Sequence, residues 1–218
     1  SNNSSLLNKL MEAIQGKRIV YLACIMLFII MLASFSSGIT VESLRLVLRV
    51  TGRLTILFFF ITFAASALRR FHISDWSHYL MTNRRYFGIA TGVIMMFHML
   101  VIVTYSQIDP LLFHIEVDLP TLVGGVFAFS MIFIQLLTSN DVSQKKLGMK
   151  KWKRLHLITS YIIWLSLLNE YVVQLWLIPM LKPEKIDMRY FPELNWLFLL
   201  VVIAMLLLRI VSRFKRTH

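Results

Sequence analysis

The chain has 218 residues, of which 57% are hydrophobic and only 16% are charged. Ordinary soluble domains are about 45–50% apolar and about 25% charged. A compact soluble fold of this size could not bury so much apolar surface, so the composition excludes a soluble enzyme. The formal net charge of +12 is typical of a membrane chain whose basic residues gather at the cytosolic ends of its spans, and it does not indicate nucleic-acid binding.

Residues 1–18 contain the segment LLNKLMEAIQ, which predicts either a short amphipathic helix at the membrane interface or a frayed tail. Six later stretches are apolar over about the length that a bilayer requires, so we predict an all-α, integral membrane six-helix bundle over residues 19–212. A basic cytosolic tail follows at residues 213–218. The predicted spans are 19–35, 54–68, 87–105, 119–137, 155–178 and 194–210, and the second, which is the shortest between its charges, is expected to extend toward Val50.

The distribution of basic residues predicts the orientation of the bundle. Of the 23 Lys and Arg, 17 lie at the two termini, in the 69–86 segment and in the 138–154 segment, which share one side of the membrane. The other 6 lie in the 38–53 and 179–193 segments of the opposite side, and the 106–118 segment there has none. The positive-inside rule therefore places both termini in the cytosol.

The third predicted span is apolar apart from a few residues at regular spacing. Arg84, Thr91, His98 and Tyr105 recur every seven residues, which returns an α-helix to within about 20° of its starting direction. We call these four residues the polar stripe. Polar and ionisable residues inside a span are costly and mark functional sites, so the polar stripe is predicted to face the interior of the bundle.

His98 lies 13 residues beyond Arg85, about 20 Å along the helix, in the outer half of the membrane. Haem iron is commonly held by His inside helix bundles, although a buried His can also serve packing alone. Gly88 and Gly92 form a GxxxG step, which predicts either close helix packing or room for a flat macrocycle.

The fifth predicted span carries the second candidate ligand. His156 follows the basic run 145–154, so we expect it near the cytosolic surface, either as an iron ligand or as an interfacial His. Glu170 lies 14 residues further on and therefore on the same face of the helix, where its carboxyl group should point into the bundle. Asn169 is one residue off that face.

Three segments resemble a known family, in order and on the expected helices. The family is that of the ferric-reductase-like transmembrane domain. Its Thr-Gly…Thr-Pro-Leu-Arg-Arg pattern is similar to TGRLTILFFFITFAASALRR, and its Arg-Arg-x-Leu-Gly…His pattern is similar to RRYFGIATGVIMMFH. Its Trp-x-x-Leu-His pattern is similar to WKRLH. The similarity is greatest to the haem-binding membrane subunits of periplasmic methionine sulfoxide reductase systems. It covers about residues 51–170, and Ser66-Ala67 stand where Thr-Pro is usual.

The resemblance implies a six-helix bundle that holds b-type haem and moves electrons across the membrane. It implies that His98 and His156 ligate haem iron and that Arg85, Gly88 and Gly92 lie at the cofactor. FMN or a quinone is a further cofactor that the resemblance implies.

The family pattern has a second His on the fifth helix, and Asn169 stands at that position. We expect Asn169 and His98 at similar depth, and Asn is a poor iron ligand. His156 lies about 20 Å further toward the cytosol. The alternatives are a five-coordinate haem on His98, a further ligand such as Glu170 or His114, an inner site in which His156 pairs with His78, or a chain that has lost haem.

The resulting hypothesis is an electron-transfer subunit of the bacterial inner membrane rather than a complete enzyme. It would receive electrons from a cytosolic flavin reductase or quinol and pass them to an extracytoplasmic oxidoreductase. The sequence contains no GxGxxG motif, so a partner must supply the electrons. The alternative is a non-redox membrane protein that serves as a scaffold, an assembly factor or a small-solute permease.

Overall fold

The computed structural model describes residues 2–181 and 192–214, and over these ranges it is helical with no strand. Six of its helices are long and apolar enough to cross a membrane, which confirms the predicted helical membrane fold. The helices are α1 (Asn2–Ala13), α2 (Lys17–Phe35), α3 (Val41–Phe71), α4 (Asp75–Ile108), α5 (Pro110–Glu116), α6 (Leu119–Thr138), α7 (Asp141–Leu147), α8 (Met149–Val172), α9 (Ile178–Leu181) and α10 (Pro192–Phe214). A single π-helical turn, Val173–Leu177, joins α8 to α9.

The helix α3 is much longer than the predicted span 54–68. The apolar run underestimates its length because Arg45, Arg49 and Arg53 interrupt the part of the helix that precedes residue 54. The helix begins with a capping box in which Thr40 and Ser43 exchange side-chain-to-backbone hydrogen bonds. Such a box satisfies N–H groups that the first turn leaves unpaired. The expected extension of the second span toward Val50 was therefore too short, because the capping box starts the helix at Val41.

The helices α3 and α4 form the centre of the bundle. Phe58 of α3 joins a buried cluster with α2 and α4, whereas its neighbour Phe59 joins another with α6, α8 and α10. Large apolar side chains on the outer surface of the helices are exposed, as a lipid environment permits.

Hydrogen bonds at the two ends of the bundle define two faces. The terminal face holds the start of α2, the turn 72–74, α7 and the end of α10. Here the backbone N–H of Gly16 donates to Asn83 Oδ1 at 2.8 Å, and Arg85 Nη1 lies 2.7 Å from Asp141 Oδ1. The opposite face holds the start of α3 and the helix α5, which the Arg45–Glu116 ion pair connects.

The two glycines of the GxxxG step pack against different helices. A Cβ atom on Gly92 would lie 2.9 Å from Leu136 Cδ1 and 3.2 Å from Leu136 Cβ, so α6 approaches α4 closely here. A Cβ on Gly88 would lie 3.5 Å from Thr62 Cγ2 of α3, an ordinary contact. The structure thus assigns a packing contact to each glycine, and their role at a cofactor stays a prediction.

We expect Gly92→Ala to destabilise the protein by about 1–3 kcal/mol relative to Gly125→Ala, because the added methyl overpacks the contact with Leu136. Gly125 is the matched control, since a Cβ there meets nothing within 4 Å. Thermal unfolding in detergent measures the difference. The penalty of Gly92→Ala should be smaller in a Leu136→Ala background, where the Cδ atoms are gone, and an equal penalty in the two backgrounds would place the strain elsewhere.

Candidate functional site

A cavity of about 410 Å³ lies between α3, α4, α5, α6 and α8, in the half of the bundle near the opposite face. Its size falls within the range of about 300–1,000 Å³ that is typical of small-molecule sites. Most of its lining is apolar. Its ionisable lining includes His98 and Tyr105 of the polar stripe, together with Arg45, Arg49, Arg53, Glu116, Glu170 and Tyr171.

His98 is oriented by a hydrogen bond to α3. Its Nδ1 lies 2.8 Å from Thr51 Oγ1, and the same hydroxyl lies 2.7 Å from the carbonyl oxygen of Val47. With the Thr51 hydroxyl assigned as a donor to Val47, the imidazole donates from Nδ1 and keeps the lone pair on Nε2. A hydrogen bond at one ring nitrogen commonly prepares the other to bind a metal.

The polar stripe follows the contact between α3 and α4. At the terminal end, Arg84 Nε donates to the carbonyl oxygen of Thr62 at 2.8 Å. At the opposite end, the Tyr105 hydroxyl donates to Glu116 Oε2 at 2.5 Å, and Arg45 of α3 pairs with the same carboxylate. The stripe therefore faces the interior, as its seven-residue spacing predicts.

Sequence reasoning missed three arginines of α3. Arg45, Arg49 and Arg53 recur every four residues, so they share one face of the helix, and all three line the cavity. Arg53 Nη2 donates to Asn195 Oδ1 of α10 at 3.5 Å. The four-residue spacing and the Thr-x-x-Ser sequence at position 40 could have revealed this part of α3.

On α8, Glu170 faces the cavity and Asn169 does not. Glu170 Oε1 accepts a hydrogen bond from Gln174 Nε2 at 3.1 Å, and both residues line the cavity. Asn169 is exposed, and its Nδ2 donates to the carbonyl oxygen of Pro120 in α6 at 3.5 Å. The structure thus brings Glu170, rather than Asn169, into the cavity that His98 lines.

His156 lies outside the cavity, near the terminal face. Its Nε2 is 2.9 Å from Thr138 Oγ1, and its ring packs on Trp152 with centroids 4.2 Å apart. Arg85 is likewise outside the cavity and donates to the carbonyl oxygen of Ser139 at 2.8 Å. The structure therefore does not bring His156 or Arg85 together with His98.

The two other histidines considered as ligands are exposed. His78 lies in the first turn of α4, and His114 lies in α5 with its ring edge-on to Phe113. Neither residue lines the cavity.

The cavity offers one imidazole, two carboxylates and three guanidinium groups. In residues 2–181 and 192–214, no three His, Cys, Asp or Glu side chains converge to hold a metal ion. His98 could ligate a metal that brings its own macrocycle, and the arginines could bind carboxylate or phosphate groups.

Comparison of the chain with known protein families, with curated proteins and with solved structures found no match.

We expect the Arg45–Glu116 pair to show a coupling energy of about 1.5–3 kcal/mol in a double-mutant cycle of Arg45→Met and Glu116→Gln, as for hydrogen bonds to charged groups. The side chains of this pair are only 19% and 16% exposed. The control is the cycle of Arg85→Met and Asp141→Asn, whose side chains are 45% and 71% exposed. That pair should give about 0.2–1 kcal/mol, and equal couplings in urea unfolding would contradict the prediction.

Proposed function

We propose that this chain is a membrane subunit that holds b-type haem on His98 and carries electrons across the bilayer. In this proposal the terminal face is cytosolic and receives electrons from a flavin reductase or quinol. The opposite face delivers them to an extracytoplasmic oxidoreductase, and the membrane is the bacterial inner membrane. The observation that carries the proposal is the position of His98, in a cavity of ligand size with Nδ1 engaged and Nε2 free to bind iron.

The residues of the cavity fit such a group. His98 supplies a nitrogen ligand, and Glu170 is the carboxylate of α8 in the same lining. Arg49 and Arg53 line the same cavity and supply cations suited to the propionates. Haem supplies one-electron redox chemistry when bound, and its ligand and surroundings set the potential.

The chain's own residues orient and enclose the site. Thr51 fixes the tautomer and direction of the His98 ring. The ion pair of Arg45 with Glu116 ties α5 to α3 at the edge of the cavity.

We expect His98→Ala to lose most of the haem that the wild-type protein carries, whereas His156→Ala keeps it. The reason is that His98 lines the cavity, while His156 Nε2 is engaged by Thr138. The reduced-minus-oxidised visible spectrum and a haem assay of protein purified in detergent measure the result. Equal haem retention in the two variants would contradict the assignment of the ligand.

We expect Thr51→Val to weaken haem binding by about tenfold or more, since residues that orient metal ligands typically contribute 10–100-fold in affinity. The substitution keeps the shape of the side chain and removes only the hydroxyl that accepts from His98. Thr104→Val is the control, because that exposed hydroxyl donates only to the carbonyl oxygen of Leu100 in its own helix. Haem titration and the reduction potential should change in the first variant alone.

A second candidate function is the binding of a small anionic solute by a non-redox membrane protein. The observation that favours it is the arginine face of α3, which presents Arg49 and Arg53 to the same cavity. Protein expressed with ample haem and purified without a Soret band would rule out the haem proposal. Isothermal titration of that colourless protein with small carboxylates, compared with Arg53→Gln, would then test the solute site.

A further inference from the structure

A second group of cations lies near the terminal face, away from the cavity. Arg84 of α4 stands about 21 Å along the helix axis from His98. Arg84 contacts Thr62 of α3, and Arg209 of α10 stacks on the next residue, Phe63, so both guanidinium groups lie at the same turn of α3. Arg213 donates to the hydroxyl of Tyr161, on whose ring Arg209 also stacks, and Arg70 is a further positive charge that acts on Arg209. None of these four arginines lines the cavity described above.

Both central guanidinium groups are held in place by uncharged neighbours. Arg84 Nε donates to the carbonyl oxygen of Thr62 at 2.8 Å. The Arg209 guanidinium carbon lies 4.2 Å from the ring centroid of Phe63 and 5.0 Å from that of Tyr161. In the part of the chain that the structure describes, Arg209 Nη1 is buried and has no hydrogen-bond partner.

Among the side chains that the structure describes, the ion pairs are Arg45–Glu116 and Arg85–Asp141, and neither pair includes these four arginines. Bringing like charges together in a poorly solvated region is unfavourable unless an anion joins them. The cluster would therefore be stabilised by an anionic group that can accept hydrogen bonds from guanidinium edges.

We infer that Arg84 and Arg209 form a binding site for a phosphate group, with the exposed Arg70 and Arg213 at its solvent side. Guanidinium groups bind phosphate through paired N–H donors, and basic pockets between membrane helices bind lipid headgroups. The phosphate belongs either to an anionic phospholipid or to a soluble phosphate compound. This site is separate from His98 and does not depend on the proposed electron transfer.

The test measures thermal unfolding of the full chain in dodecyl maltoside and phosphate-free buffer. Phosphatidylglycerol is added to one sample, diacylglycerol with the same acyl chains to a second, and inorganic phosphate to a third. We expect phosphatidylglycerol or inorganic phosphate, but not diacylglycerol, to raise the melting temperature of the wild-type protein. Protection by the lipid alone identifies a headgroup, and protection by inorganic phosphate identifies a soluble source.

Arg84→Gln and Arg209→Gln should each raise, by about tenfold or more, the ligand concentration that gives half of this protection. This is the change expected for the loss of a hydrogen bond to a charged group. Arg154→Gln is the matched control, because Arg154 is exposed at the same face and its loss changes the net charge equally. Arg84→Lys and Arg209→Lys keep the charge and remove the paired donors, so they test the site even if a Gln variant does not fold. Protection that is absent in the wild type, or equal in the variants of Arg84, Arg209 and Arg154, would overturn the inference.

Discussion

The contact between α3 and α4 is the constraint on which the rest of the structure depends. Arg84 and His98 of α4 form hydrogen bonds with Thr62 and Thr51 of α3, respectively. Tyr105 of α4 donates to Glu116 of α5, which also pairs with Arg45 of α3. In a bilayer these groups cannot exchange a lost partner for water, so a shift of one helix along the other would leave several of them unpaired. The polar stripe therefore fixes the register of the two central helices. That register in turn determines which side chains reach the cavity.

The two ends of this contact differ in how their charges are balanced. Near the opposite face, Glu116 accepts hydrogen bonds from both Arg45 and Tyr105, so one carboxylate joins α3, α4 and α5. Near the terminal face, Arg84 is held by a carbonyl oxygen and Arg209 by aromatic rings. Cation–π contacts hold a guanidinium in place without neutralising its charge. The first cluster is therefore complete within the described chain, whereas the second is built to receive an anion.

The parts of the fold that could be predicted from the sequence are those whose residue pattern is compatible with a single structure. Apolar runs of bilayer length predict helices, and the spacing of Arg84, His98 and Tyr105 predicts an inward face. The start of α3 was missed because its arginines resemble the charged flank of a span, and only the contacts of neighbouring helices show that they face a cavity. The inward direction of Glu170 was predictable, because a carboxyl group within a span should point into the bundle. Adjacent helix positions point about 100° apart, so the rotation of α8 that brings Glu170 into the cavity directs Asn169 away from it.

That rotation changes how the candidate haem site should be considered. The depth argument pairs His98 with Asn169, yet Asn169 is directed toward Pro120 of α6 and Glu170 occupies the cavity lining. The π-helical turn that follows α8 includes Gln174, whose side chain donates to Glu170. Such turns frequently occur at functional sites, where they redirect side chains. The proposal of a haem site therefore does not depend on what replaces the second His at position 169. It depends on His98, on Thr51 behind it, and on the carboxyl group of Glu170 that shares the cavity.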